Sequence, residues 1–151
     1  MCGIVGLFAK SPAIEERLGV HLVAMLAQMS DRGPDSAGVA VYRDPVAEGL
    51  TKLTLYSPQA AEDWRAVAAA IGGEVDSVRA SHAVVVVPTD AADAESRVRA
   101  SRGDLRVMSA GRVIELYKDI GLPEVFAETF ELANLQGSHA LFELELLLDG
   151  A

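Results

Sequence analysis

Cys2 is the residue of this 151-residue chain most able to do chemistry, because of where it stands. Initiator methionine is usually removed when the next residue is small, and removal of Met1 would make Cys2 the first residue. One residue would then carry both a thiol and a free α-amine. An α-amine titrates near pH ~7.7–8.0, so part of it is unprotonated at neutral pH and can accept the thiol proton. The position of Cys2 therefore predicts a nucleophile with its own general base.

Cys2 also has a purely structural interpretation. A cysteine near a terminus is more often a small buried apolar residue than a nucleophile. If Met1 is kept, the nitrogen is an amide and cannot act as the base. Cys2 is the only cysteine, which excludes an intrachain disulfide and a cysteine-rich zinc site. This cysteine usage favours a reducing compartment, and we expect a cytoplasmic protein.

A second charged group lies in the turn at 31–35, where Arg32 stands between two aspartates. In an ordinary helix-to-strand connection the guanidinium would pair with one of these carboxylates. In a catalytic site it would stabilise the charge that develops during acyl transfer. The residue types leave both interpretations open.

The remaining candidates give weaker signals. His21, His82 and His139 are scattered without metal-ligand spacing, so no metal site is predicted, while a Cys–His pair stays an alternative. No glycine-rich phosphate loop occurs, and no cofactor is expected. A basic cluster lies on or just after a predicted helix and favours a solvated face, with docking to an acidic partner as the alternative. Its members are Arg97, Arg99, Arg102 and Arg106.

The elements that must position these residues are strands mixed with helices. The apolar run at 1–8 predicts a buried strand, and an apolar stripe from Ile14 to Met29 predicts one helix after the Ser11-Pro12 start signal. Two strand-like runs, 38–43 and 50–56, predict an antiparallel hairpin.

The rest of the chain continues this mixture. The Ser57-Pro58 cap signal predicts a second helix that ends at Gly72-Gly73. Further predicted elements are a central strand at 82–87, helices at 90–101 and 123–132, an extended segment at 104–109, and a strand with one wetter face at 137–148. Because there is no regular βαβ cadence, we predict an α+β fold with a single domain over residues 1–151.

Composition narrows the function classes. Half of the residues are apolar and 23% are charged, which is typical of a globular protein. The net charge of −9 disfavours nucleic acid and anionic membrane surfaces as partners. The longest apolar stretches, 22–27 and 83–87, are too short to span a bilayer, and no secretory signal is visible.

Two motifs carry a family resemblance. The sequence MCGIVGLF at 1–8, followed after one helix by RGPDSAG at 32–38, resembles the start of the class II glutamine amidotransferases. The stretches 111–123 and 137–141 are similar to the separate amidotransferase subunit of glutamate-synthase-like and N-methylglutamate-synthase complexes. The resemblance covers about residues 1–141.

This resemblance implies an N-terminal-nucleophile hydrolase fold, with two antiparallel sheets between helical layers. It implies that Cys2 attacks the side-chain amide of glutamine, with its own amine as the base and Arg32 as an active-site support. A thioester would form and hydrolyse, and the ammonia would pass to a synthase partner subunit.

The sequence departs from the family after Leu141. There the family continues into a His-Thr-Arg strand that binds the glutamine α-carboxylate, and later supplies an Asn-Gly pair for the oxyanion hole. Here FELELLLDGA follows, and no Asn-Gly pair occurs. We expect a domain whose C-terminal part is missing relative to the family, with exposed strand edges that favour a partner or self-association.

Three functions fit these observations. The first is a glutaminase domain or subunit that donates ammonia. The second is a non-catalytic remnant or partner-binding module of the same fold. The third is an N-terminal-nucleophile hydrolase for another amide, with Glu143 or Glu145 replacing the substrate contacts.

Overall fold

The computed structural model describes residues 3–29 and 35–145, the last of these by its backbone alone. Eight strands and five α-helices lie in this part of the chain. The strands are β1 Gly3–Phe8, β2 Ser36–Tyr42, β3 Thr51–Tyr56, β4 Glu74–Arg79, β5 His82–Val87, β6 Arg106–Gly111, β7 Ile114–Ile120 and β8 His139–Glu145. The helices are α1 Pro12–Glu15, α2 Leu18–Ala27, α3 Trp64–Ala70, α4 Ala91–Ser101 and α5 Pro123–Thr129, followed by a 3₁₀ turn, Leu132–Asn134.

The strands form two four-stranded sheets, with the orders β1-β8-β2-β7 and β4-β5-β3-β6. The pairings of β8 with β1 and β2, and of β3 with β5 and β6, are antiparallel. Since helices accompany both sheets, the predicted α+β class with antiparallel sheets is confirmed. The chain divides into two compact units, Met1–Arg43 with Leu116–Ala151, and Asp44–Glu115.

The predicted hairpin of the second and third strands is wrong. Both runs are strands, but β2 lies between β8 and β7 in one sheet, whereas β3 lies between β5 and β6 in the other. With both edges of each strand occupied, β2 and β3 have no edge left to share. The connection between them is held instead by Arg112, whose guanidinium donates to the Val46 carbonyl at 2.8 and 3.1 Å.

In the first unit, α2 and α5 supply the helical side of the core. The helix predicted over the stripe from Ile14 to Met29 is interrupted, because Arg17 takes φ −113° and ψ 17° and separates α1 from α2. Ser11 and Pro12 begin α1 as predicted, although the Ser11 side chain makes no capping bond. Three leucines of α2 are buried at intervals of one helical turn: Leu18, Leu22 and Leu26.

In the second unit, α3 and α4 pack on the sheet of β4, β5, β3 and β6. Trp64 and Val67 of α3, and Ile71 directly after it, are buried against valines and leucines of β3 and β5. The start signal at Ser57-Pro58 was misplaced, because Asp63 caps α3 by accepting from the Ala66 amide at 3.1 Å. The central position of β5 is confirmed.

Two strands had no sequence prediction, β4 and β7. Charged residues interrupt both, including Glu74 and Asp76 in β4 and Lys118 in β7, and each strand lies at the edge of its sheet. An edge strand tolerates this polarity because one side of its backbone faces solvent. Among the described helices, none combines the length and apolarity needed to cross a membrane.

Candidate functional site

The two residues predicted to be catalytic, Cys2 and Arg32, lie outside the described residues. The strands that follow each of them in the sequence are described. Gly3, which follows Cys2 in the sequence, is the first residue of β1, and the motif that contains Arg32 continues through Ser36 and Gly38 in β2. The candidate site is therefore described through β1 and β2, the strands that contain the described residues of the two motifs.

The strands that contain these two motifs, β1 and β2, begin at the same end of one sheet. Gly3 of β1 and Ala37 of β2 are both opposite Leu144 of β8, one on each side. Gly3 and Ala37 are buried, and Leu144 is fully buried. The segments that begin β1 and β2 are thus held one strand apart, although 34 positions separate Gly3 from Ala37 in the sequence.

The opposite face of this sheet end carries charge. Glu143 of β8 is exposed and lies between Ile4 of β1 and Gly38 of β2, its partners on either side. A carboxylate at this position can bind an ammonium group or accept a proton. Glu143 was one of the two glutamates that the sequence indicated as substitutes for substrate contacts, and Glu145 has no described side chain.

A cationic residue, Lys118, lies beside Gly38. A Cβ atom on Gly38 would lie 3.4 Å from Cγ of Lys118, so the lysine stem of β7 covers the space that a side chain would fill. Lys118 and Glu143 therefore border Gly38 from its two neighbouring strands. The sequence indicated no role for Lys118, and the only signal was Gly38 at the end of the RGPDSAG motif.

The three histidines belong to three different elements. His21 is half-buried on α2, and His82 is buried at the start of β5, with its Nδ1 3.1 Å from the Ser81 hydroxyl. His139 lies at the start of β8. Cys2, with which a histidine could pair, lies outside the described residues. In residues 3–29 and 35–145, no group of three or more histidines, cysteines and carboxylates could hold a metal ion.

The imidazole of His139 is stacked between two aromatic rings. Its centroid lies 4.1 Å from that of Tyr42 and 5.0 Å from that of Phe8, with interplanar angles of 13° and 10°. Its Nδ1 is 2.9 Å from the Ser138 hydroxyl. The stack joins β1, β8 and β2 at the end of the sheet opposite to Gly3.

Three of the four arginines of the basic cluster pair with carboxylates of the same chain. Arg97 pairs with Asp93 at 2.7 Å and Arg99 with Glu95 at 3.4 Å, each one turn apart on α4. The guanidinium of Arg106 lies 5.9 Å from the ring centroid of Tyr56. These contacts are those of a solvated face.

Arg102 makes the strongest pairs of this cluster. It donates two bonds to Asp104, at 2.5 and 3.0 Å, and a third to Glu62 at 2.7 Å. The bonds from Arg102 lower the pKa of Asp104 to about 2. The pKa of Glu62 is also lowered, first by the Ser57 hydroxyl that donates to it at 2.5 Å and then by Arg102. The pKa of Arg102 is raised by the same bonds.

A cleft of about 440 Å³ lies in the first unit between α2, α5 and the 3₁₀ turn. Alanines, Val23 and Leu26 form its apolar wall, and Glu124, Glu128 and Glu131 provide carboxylates. The sequence indicated no ligand chemistry for these residues.

Comparison with known proteins gives one relationship. No protein-family model matches the chain. The chain is 38% identical, over 156 aligned positions, to the glutamine amidotransferase-like protein GlxB of Rhizobium meliloti (strain 1021). The alignment covers all of this chain and 52% of that protein, so the chain spans about half the length of its relative. Identity over the whole chain supports a relationship to the glutamine amidotransferases.

Proposed function

We propose that this chain is a glutaminase domain or subunit of a class II glutamine amidotransferase, with Cys2 as its N-terminal nucleophile. The observation that carries the proposal is the pairing of Gly3 and Ala37 with the same residue, Leu144. Through this pairing β1, which follows Cys2 in the sequence, and β2, which begins four positions after Arg32, start at the same end of one sheet. The whole-chain similarity to a glutamine amidotransferase-like protein supports the same function.

The proposed reaction begins after Met1 has been removed. The α-amine of Cys2 takes the thiol proton, and Sγ attacks the side-chain amide carbon of glutamine. The C–N bond then breaks, the leaving nitrogen takes that proton, and ammonia departs from a thioester. Water, deprotonated by the same amine, attacks the thioester carbon, which frees the thiolate and glutamate. Arg32 would stabilise the negative charge on the carbonyl oxygen.

The charged face beside Gly38 suits the other end of glutamine. The amino acid carries an α-ammonium and an α-carboxylate, and Glu143 and Lys118 present the complementary charges on strands β8 and β7. We assign Glu143 to the ammonium and Lys118 to the carboxylate. This pair would replace the carboxylate-binding arginine that the family resemblance implies.

Ammonia, the product of the proposed reaction, indicates which kind of partner the proposed enzyme needs. Free ammonia is useful to a synthase only when it is delivered to a second active site, so the chain would act with a synthase partner subunit in the cytoplasm. No cofactor takes part in the steps above. In this proposal residues 1–151 act as a single amidotransferase-type domain.

Glutamine hydrolysis tests the proposal. The purified chain is incubated with glutamine, alone and with its synthase partner, and glutamate is assayed beside the Cys2→Ala variant. We expect hydrolysis by the wild type, none above background by Cys2→Ala, and an intact mass that lacks Met1. Arg99→Ala, on the solvated face of α4, is the matched surface control. Equal rates for wild type and Cys2→Ala, or retention of Met1, contradict the proposal.

A non-catalytic, partner-binding module of the same fold is the second candidate. It is favoured by the lack of an Asn-Gly pair in these 151 residues, because loss of an oxyanion donor lowers acyl-transfer rates by a factor of about 10²–10³. Stable binding to the synthase partner by both wild type and Cys2→Ala, with no glutamate formed by either, would favour this candidate.

A further inference from the structure

The stretch 111–123 carries part of the family resemblance, but the proposed function uses only its Lys118. The second half of this stretch forms β7 and the turn that follows it. Strand β7 is the neighbour of β2 in the sheet, and Cγ of Lys118 lies 3.4 Å from the place that a Cβ atom on Gly38 would take. The stretch is therefore in contact with the RGPDSAG motif at 32–38, although the two are far apart in the sequence.

A backbone hydrogen bond also joins the two motifs. Gly121, directly after β7, donates its amide to the carbonyl of Asp35 at 2.8 Å. Asp35 directly precedes β2 and stands three positions after Arg32 in the sequence. Three residues of fully extended chain span at most ~11 Å, so the position of Asp35 limits the distance that Arg32 can reach.

Gly121 has a backbone conformation that few other residues adopt. Its φ is +132°, which is unfavourable for any residue with a Cβ atom. A Cβ atom at this position would meet nothing within 4 Å, so crowding does not exclude a side chain. The need for glycine at position 121 therefore comes from the backbone conformation in which its amide bonds to Asp35.

The turn that contains Gly121 is held on both sides. Before Gly121, the Ile120 amide donates to Oδ1 of Asp119 at 2.8 Å. After it, α5 begins, and the Leu122 carbonyl accepts from the amide of the buried Phe126 at 2.9 Å. Because the neighbouring residues are fixed in this way, the Gly121 amide is available to hold Asp35 from a defined place.

We propose that Gly121 is a positioning residue for the RGPDSAG motif, and that by holding Asp35 it sets the place from which Arg32 acts. This inference rests on the proposed function, in which Arg32 stabilises the negative charge on the carbonyl oxygen. Gly121 acts through Asp35 and takes no part in the chemical step. A substitution of Gly121 should therefore weaken stabilisation of the transition state and leave the binding of glutamine largely unchanged.

Glutaminase kinetics test the proposal. Gly121→Ala should lower kcat by a factor of about 10–100 and change KM by no more than about twofold, because a small displacement of a charge-stabilising group is costly. In an Arg32→Ala background the same substitution should lower kcat no further, since both changes remove one interaction. Gly49→Ala is the matched control and should leave both constants unchanged. Gly49 also has a positive φ, +79°, and open space around a Cβ, but it lies in the connection between β2 and β3.

Limited proteolysis tests the proposal without any enzymatic activity. Trypsin cleaves after Arg32, and we expect this cleavage to be at least ~5-fold faster in Gly121→Ala than in the wild type or in Gly49→Ala. Cleavage at the other basic sites should not change, because the substitution leaves the fold intact, and circular dichroism spectra should match the wild type. In the wild type the Gly121 amide should be protected from hydrogen exchange.

Four results would overturn the inference. They are equal kinetics for Gly121→Ala and Gly49→Ala, a full further loss of kcat in the Arg32→Ala background, unchanged cleavage after Arg32, and an unprotected Gly121 amide.

These outcomes are distinct from failure of the proposed function. If the wild type hydrolyses no glutamine, the proposed function fails, and proteolysis and exchange still decide whether Gly121 holds the motif. If Cys2→Ala abolishes hydrolysis and Gly121→Ala does not lower it, the role of Gly121 fails and the proposed function stands.

Discussion

Nζ of Lys52 lies 3.0 Å from Oε1 of Glu115, and both side chains are almost inaccessible to water, 6% and 0% exposed. Lys52 is the second residue of β3 and Glu115 the second residue of β7, and both belong to the second unit. Two buried charges are unfavourable unless they are paired, so each of these two side chains depends on the other to remain buried and charged. The hydroxyls of Ser109 and Thr54, 2.9 Å apart, extend the polar contacts along β3.

Removing one member of this pair should be costly. We expect Lys52→Met to lower the free energy of unfolding by about 3 kcal/mol, because the Glu115 carboxylate loses its ammonium partner while staying buried. Lys52→Met/Glu115→Gln should recover part of this loss. Denaturant unfolding measures both variants, and Arg99→Met, which removes the exposed pair with Glu95, should change stability by no more than ~0.5 kcal/mol. An equal effect of Lys52→Met and Arg99→Met would show that the buried pair is unimportant.

Gly19 allows α2 to contact the 3₁₀ turn. Its amide donates to the Leu135 carbonyl at 2.9 Å, and a Cβ atom on Gly19 would lie 1.9 Å from the Leu132 carbonyl oxygen. We therefore expect Gly19→Ala to destabilise the chain by about 3 kcal/mol, despite the better helix propensity of alanine. Gly103→Ala is the control, because a Cβ there meets nothing within 4 Å. Thermal unfolding that separates these two variants by only a degree would contradict the packing argument.

The sequence predicted those strands and helices whose burial produces a recognisable pattern of apolar and polar residues over a few neighbouring positions. The run at 82–87 is apolar throughout because β5 lies inside its sheet, and the helix at 90–101 begins at a capping aspartate, Asp90, that accepts from the Asp93 amide. The alternation of Phe142 and Leu144 with Glu143 reflects the packed and solvated faces of β8. These signals arise within a few residues, so the sequence contains them.

The features that the sequence did not predict depend on contacts between segments that are far apart in the sequence. Nothing near β2 indicates that β8, about 100 positions later, takes the place expected for β3. The break before α2 lies at Arg17, where residue types alone favour a continuous helix. Similarly, the approach of Lys118 to Gly38 requires β7 and β2 to be neighbours, which no local pattern encodes.

Stability should decrease in acid through Asp104. Because Arg102 lowers the pKa of Asp104 to about 2 from an ordinary 3.8, the folded chain binds this proton less readily than the unfolded chain. The contribution is therefore complete above about pH 4 and is lost as the pH falls toward about 2. The lowered pKa of Glu62 acts in the same direction. Asp104→Asn should flatten the dependence of melting temperature on pH in this window, whereas Asp119→Asn should not. An unchanged slope for Asp104→Asn would contradict this assignment.

Glu143 provides the test of substrate orientation within the proposed function. If its carboxylate binds the α-ammonium of glutamine, Glu143→Gln should raise KM by about 10-fold or more with little change in kcat, because the contact is made equally in the ground and transition states. Glu128→Gln, an exposed glutamate of α5, is the matched control.

A substrate without the amine sharpens this prediction. The wild type should hydrolyse glutaramate, which is glutamine without its α-amine, with a higher KM than glutamine, and Glu143→Gln should discriminate little between the two. An equal preference for glutamine in both enzymes would show that the ammonium binds elsewhere, and a loss of kcat at constant KM would give Glu143 a part in the chemical step instead. Either result leaves the Cys2 nucleophile untouched, because Cys2→Ala tests it separately.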